Sequence, residues 1–116
     1  MLEINPIPNP RTDRTYWAVL ATDEPLPCRS VDCDVDGHVS ISLRYQPTGR
    51  CIETRSFGRY LKQLLRESDL DQELLTRIVT EVRSACHPEV VKVEAKFDSP
   101  DGLSLSLFAA HPASSS

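Results

Sequence analysis

The sequence predicts an α+β domain in which a four-stranded antiparallel sheet carries two helices on one face. Two observations point to it. Stretches with period-two alternation of apolar and polar residues lie on both sides of the middle of the chain, and the middle holds two apolar stripes with helical period. The element order is therefore ββ-αα-ββ. Packing both helices against one face of one sheet buries both stripes with a single core.

The first strand pair is read from Thr15 to Tyr45. Thr15–Thr22 (TYWAVLAT) is rich in strand formers and is a first strand or its lead-in; Pro25 and Pro27 then interrupt regular pairing. Val31, Cys33 and Val35 alternate with Asp32, Asp34 and Asp36, and after Gly37 the alternation resumes at Val39, Ile41 and Leu43. Asp36-Gly37 is a two-residue hairpin signal, because glycine takes positive φ at little cost. The reading is two strands turning at Asp36-Gly37, followed by a loop over 46–50.

Phe57, Tyr60, Leu61, Leu64 and Leu65 form the first helical stripe, with Ser56 as its N-cap. A second helix begins near Asp69, with Gln72 three residues on in a capping-box arrangement. Its stripe is Leu74, Leu75, Ile78, Val82, Ala85 and Cys86, and Pro88 ends it. The last strand pair alternates at Val91, Val93, Ala95 and Phe97, turns at Ser99-Pro100-Asp101-Gly102, and resumes at Leu103, Leu105 and Leu107. Lys92, Glu94 and Lys96 then share the opposite face as solvated charges. The organisation expected is an extended N-terminal arm over 1–13, a single domain over 14–110 and a disordered tail over 111–116.

Composition excludes several classes. A chain of 116 residues with net charge −4 lacks the basic footprint of a nucleic-acid binder, and 6% aromatic residues offer no base-stacking platform. No apolar run approaches the roughly 20 residues of a membrane span. Met1–Pro10 holds three prolines and no hydrophobic stretch, so no signal peptide is expected. The expected compartment is the cytoplasm, with reduced thiols.

Cys28, Cys33, Cys51 and Cys86 form no CxxC pair, and His38, His87 and His111 are scattered. No metal site is expected from such spacing. Asp32-Cys33-Asp34-Val35-Asp36-Gly37 matches the opening of a calcium-binding loop, but Leu43 stands where a bidentate glutamate is needed. His87 lies at the second helix's negative end, a structural placement. Of the thiols, Cys28 directly follows the proline-rich stretch Pro25–Pro27 and stands beside Arg29, a setting that lowers a thiol pKa; it is expected to be the most rapidly alkylated. Glu53-Thr54-Arg55-Ser56 puts an arginine at a helix N-terminus, an arrangement suited to phosphate.

Residues 43–108 resemble the QueF nitrile reductases, which are tunnelling-fold (T-fold) proteins. A strand ends in a proline loop, Glu-x-basic-Ser leads into a helix with Tyr and Leu, an acidic turn precedes a second helix ending at proline, and a strand ending in Phe is followed by a strand after glycine. Glu53-Thr54-Arg55-Ser56, against the family's Glu-Ser-Lys-Ser, is the most specific part. The resemblance implies a ββααββ T-fold and an enzyme that reduces the nitrile of 7-cyano-7-deazaguanine to 7-aminomethyl-7-deazaguanine with NADPH, in queuosine biosynthesis. A cysteine thiolate attacks the nitrile carbon, which turns a poor hydride acceptor into a thioimide.

Carried onto this chain, the resemblance implies Cys28 as nucleophile and Asp36 as the proton-handling carboxylate, the closest matches when small gaps are allowed. Anchored without gaps on Glu53, those two positions fall on Ser30 and Gly37. The purine-gripping glutamate falls on Gln72, with Glu73 beside it, and Glu53, Arg55 and Ser56 belong to the NADPH side. The partner implied is a small deazapurine, with no direct nucleic-acid or membrane contact. A homo-oligomer is expected because an open sheet leaves two edges exposed. The alternative of another class is a non-catalytic T-fold paralog acting as a deazapurine- or pterin-binding or assembly subunit.

Overall fold

The computed structural model describes residues 3–30 and 35–113. The longest strand, β4 (Val35–Tyr45), lies at the centre of the main sheet. On one side it pairs antiparallel with β6 (Val91–Asp98), which pairs in turn with β7 (Ser104–His111). Its other side is shared. β2 (Ala18–Ala21) runs along residues 42–45 and β3 (Leu26–Ser30) along residues 35–39.

The sheet therefore has five strands rather than the four expected, because one edge is divided at Asp23–Pro25. Thr22 carries the chain across the division. Its N–H donates to the Ile41 carbonyl (3.0 Å), and its Oγ1 accepts from the Ile41 N–H (3.1 Å). Pro27 does not interrupt β3, because an edge strand has a side on which a missing N–H costs nothing.

The expected turn at Asp36-Gly37 is not a turn. Both residues are inside β4, Asp36 opposite Arg29 and Gly37 opposite Cys28. The strand preceding β4 is Leu26–Ser30; the residues expected to form it, 31–34, lie outside the described residues. Gly37 serves close approach instead of positive φ. A Cβ there would stand 2.4 Å from the Asp98 carbonyl oxygen and 2.6 Å from Phe97 Cζ. Gly102 is the glycine with positive φ, 84°, and it closes the expected β6–β7 turn.

Both helices pack on one face. In α1 (Thr54–Glu67) the expected stripe is buried, and Leu64 is fully enclosed. In α2 (Gln72–Cys86) Leu75, Ile78 and Val82 are fully enclosed against Val39, Val93 and Phe97 of the same core. The caps differ from expectation. Glu53, not Ser56, caps α1, its carboxylate accepting from the N–H groups of Arg55 and Ser56. Asp71, not Asp69, caps α2, accepting from Leu74 N at 2.8 Å. The end of α2 before Pro88 falls at His87, whose backbone is left-handed (φ 48°, ψ 55°).

The N-terminal segment is tied down. β1 (Pro6–Pro8) pairs with β5 (Arg50–Ile52), and the buried Asn9 side chain donates to the Thr48 carbonyl at 2.7 Å. At the other end His111 pairs with Val91 as the last residue of β7; of the expected tail, residues 114–116 lie outside the described residues. No helix among the described residues is long and apolar enough to cross a membrane.

Candidate functional site

The α1–α2 connection is docked on the end of β3. Leu70 N donates to the Arg29 carbonyl at 2.7 Å, and Ser30 and Leu70 form a parallel bridge. Leu70 is fully buried, so an apolar anchor holds the connection in place. Beside this junction lies a cleft of about 870 Å³ whose walls include Cys28, Arg29, Asp36, His38, Arg66 and Asp69.

The two residues singled out for catalysis thus share one cleft, but the pleat separates them. Leu26, Cys28 and Ser30 turn toward the helices, whereas Arg29 and its cross-strand neighbour Asp36 turn to the other face. Cys28 is not the loop thiol that the preceding prolines suggested. It is a strand residue, 8% exposed. Arg29 does not activate it either. The guanidinium reaches toward Asp36 at 3.5 Å in an exposed pair of little energetic weight. Burial pushes the Cys28 thiol up to about 11, and the carboxylates of Asp36 and Asp69 push the same way.

The gapless positions fare differently. Ser30 is fully buried at the Leu70 bridge. Gly37 has its side-chain space filled by the Phe97 ring and the Asp98 carbonyl, so no carboxylate fits there without moving β6.

Gln72 and Glu73 open α2, two and three residues beyond Leu70. Gln72 Nε2 donates to the Phe108 carbonyl of β7 at 2.6 Å, a use of this side chain that sequence reasoning missed. The segment nominated for NADPH lies at the opposite end of α1 from Arg66. Its helix-terminal N–H groups are taken by Glu53 itself. Ser56 is buried, its Oγ accepting from Asn5 N (2.9 Å) and donating to the Glu53 carbonyl (2.8 Å). Glu53 and Ser56 are thus spent on the helix start and the N-terminal segment and do not fit a phosphate cradle within one chain; of the three nominated residues, Arg55 is the exposed one. Among the described residues no cluster of three or more His, Cys, Asp or Glu could hold a metal ion.

The thiol geometry reverses the expected order of reactivity. Among Cys28, Cys51 and Cys86, iodoacetamide at neutral pH is expected to label the half-buried Cys51 first. Cys28 labelling should climb about tenfold per pH unit toward pH 11 as thiolate forms. Peptide mass spectrometry across pH reads both, and rapid labelling of Cys28 at pH 7 would contradict the enclosed thiol. Stability follows the same groups. Cys28 and Cys86 rise from 9.0 to about 11, so the unfolded chain ionises first; their contribution is whole below pH 9 and is lost between pH 9 and 11.

A two-layer ββααββ arrangement with both helices on one face of the sheet, the end of β3 docked on the interhelical turn, defines a T-fold domain. The family model described as "QueF-like protein" matches residues 37–116, and the chain belongs to that family. A reductase from Anaeromyxobacter sp. (strain Fw109-5), named NADPH-dependent 7-cyano-7-deazaguanine reductase, is 29% identical over 112 residues, covering 94% of this chain and 88% of its own. A protein of the same name from Stenotrophomonas maltophilia (strain K279a) is 30% identical over 84 residues, covering 70% of this chain and 30% of its own. The crystal structure of an apo archaeosine synthase QueF-Like superposes with a TM-score of 0.61 at 19% identity, over 81% of this chain and 91% of that one; it shares the fold.

Proposed function

We propose that the chain binds a 7-deazaguanine-type base at the junction of the β3–β4 hairpin with the α1–α2 turn, as a QueF-like subunit that does not itself carry the thioimide chemistry. The observation that carries the binding reading is the Ser30–Leu70 bridge. It seats the α1–α2 turn on the end of β3, beside a cleft large enough for a purine whose walls include Cys28, Asp36, Arg66 and Asp69. The Arg66 guanidinium and the Asp36 and Asp69 carboxylates in those walls supply donors and acceptors for a purine edge. The names of the relatives support the same ligand class.

The absence of nitrile chemistry rests on the thiol. Held near 11, Cys28 carries little thiolate at neutral pH, and the nominated carboxylate, Asp36, turns to the opposite face of the sheet. The second reading is the full reductase, with Cys28 as nucleophile, Asp36 handling protons and Arg55 meeting an NADPH phosphate. It is favoured by the relatives' name and by the cleft that Cys28 and Asp36 share. T-fold relatives close their sheets into barrels with sites at subunit boundaries, so in this reading a neighbouring subunit completes the site of a homo-oligomer.

Calorimetry with 7-cyano-7-deazaguanine, with and without NADPH, separates the two. The expected result is saturable binding of the base with no NADPH oxidation and no adduct on Cys28 by intact-mass spectrometry. NADPH oxidation that Cys28→Ala abolishes, with weaker NADPH binding in Arg55→Ala, would establish the reductase instead. No binding of the base at all would overturn the proposal.

A further inference from the structure

The sheet face turned away from the helices carries a feature that neither reading uses. Arg44 and Lys92 stand directly opposite each other on β4 and β6. Cross-strand neighbours of like charge sit only about 5 Å apart at Cβ and repel. Neither makes an ion pair among the described residues. The chain as a whole is acidic, at −4, so general electrostatics does not call for two adjacent cations here. The Lys92 ammonium is also held in position, 5.7 Å from the centre of the Trp17 ring.

The surroundings have a distinct shape. The next residue in the Arg44–Lys92 row is the small Ala110, and the adjoining row runs Ser42–Glu94–Phe108. Small side chains lower the floor, and the result is a depression of about 510 Å³ bounded by Arg44, Lys92, Glu94 and Phe108. Phe108 is 61% exposed, a large apolar ring left in water beside two cations that make no ion pair among the described residues. Glu94, also without an ion pair among the described residues, faces the depression next to that ring.

We propose that this depression binds a nucleotide, with its oligophosphate on Arg44 and Lys92 and its base against Phe108. The cations supply the charge-assisted donors that a phosphate chain needs. The aromatic face supplies a stacking surface that tolerates any base. The Glu94 carboxylate accepts from the N–H groups at a base edge and disfavours a second phosphate chain on its side. The site lies on the opposite side of the sheet from Arg55 and from the helices, so it is separate from the NADPH assignment and does not depend on the deazapurine reading.

Trp17 is the single tryptophan, and it touches Lys92, so its fluorescence reports this site. Titrating the full chain with ATP should produce a saturable change in that emission. Arg44→Gln should weaken binding about ten- to hundred-fold, the effect of one lost charge-assisted hydrogen bond, with an unchanged melting temperature. Tripolyphosphate should bind about tenfold or more weakly than ATP, and Phe108→Ala should remove that difference. Arg55→Ala should change nothing. No saturable response at millimolar ATP, binding indifferent to Arg44→Gln, or tripolyphosphate binding as tightly as ATP would each overturn the proposal.

Discussion

Leu64→Ala is expected to cost about 2–5 kcal/mol of stability. Leu64 has no exposed surface and lies in the seam between α1 and the sheet, in one core with Leu75, Ile78 and Phe97. Truncation removes the transfer energy of the lost carbons and leaves a cavity whose walls, two helices and a sheet, cannot collapse inward cheaply. Against a typical total of about 5–15 kcal/mol, this single change consumes a large share. Leu61, 3% exposed on the same face, should behave similarly, whereas Arg59→Ala on the exposed face should stay within about 0.5 kcal/mol. Urea melts of the three variants read the difference. A Leu64→Ala loss below about 0.5 kcal/mol would mean that this face of α1 is not the core face.

Gly37→Ala should destabilise at or above the upper end of the usual overpacking cost of about 1–3 kcal/mol. The new methyl would meet the Asp98 carbonyl oxygen at 2.4 Å and the Phe97 ring at 2.6 Å. A ring can shift, but a backbone carbonyl inside a sheet cannot without breaking the β4–β6 register. Gly37→Asp should be worse, because it adds a carboxylate beside that carbonyl. Phe97→Leu placed with Gly37→Ala should restore only part of the loss, since the carbonyl contact remains. Thermal melts of the single and double variants test this, and a Gly37→Ala melt matching the parent would mean that β4 and β6 lie further apart here. The result bears on function. The position where a gapless alignment puts the family's aspartate is closed to a carboxylate, which leaves Asp36, one residue earlier and on the other face.

The helices and the β6–β7 hairpin were legible because each is a local pattern. Phe57 to Leu65 and Leu74 to Cys86 repeat with the helical period, and Val91 to Leu107 alternates around a Pro-Asp-Gly turn. Such periodicities follow from which face meets the core, and one core serves both layers. The first hairpin misled for a physical reason. Asp-Gly before alternating apolar residues reads as a turn, but the same glycine is equally demanded where a neighbouring ring packs onto the backbone, and only the position of Phe97 distinguishes the two.

The candidate site divides along the same line. The residues of the hairpin end and the interhelical turn could be nominated from the chain, and Cys28 and Asp36 do share a cleft. Their chemistry could not be nominated that way. The preceding prolines made Cys28 look like a loop residue, yet β3 is an edge strand that accommodates Pro27, and that pairing turns the thiol inward. Glu53 and Gln72 looked free to meet ligands, yet one closes its own helix and the other holds a β7 carbonyl.

By itself, then, the sequence determined the family, the ββααββ order, and the faces that the two helices and the β6–β7 hairpin bury, because these depend on the spacing of residue types along the chain. The tertiary structure alone decided which strand borders β4 at each point, whether Gly37 turns or packs, and whether the Cys28 thiol is charged. Those outcomes depend on what lies across a gap of a few ångströms from a residue distant in sequence, and on the low dielectric that such a neighbour creates.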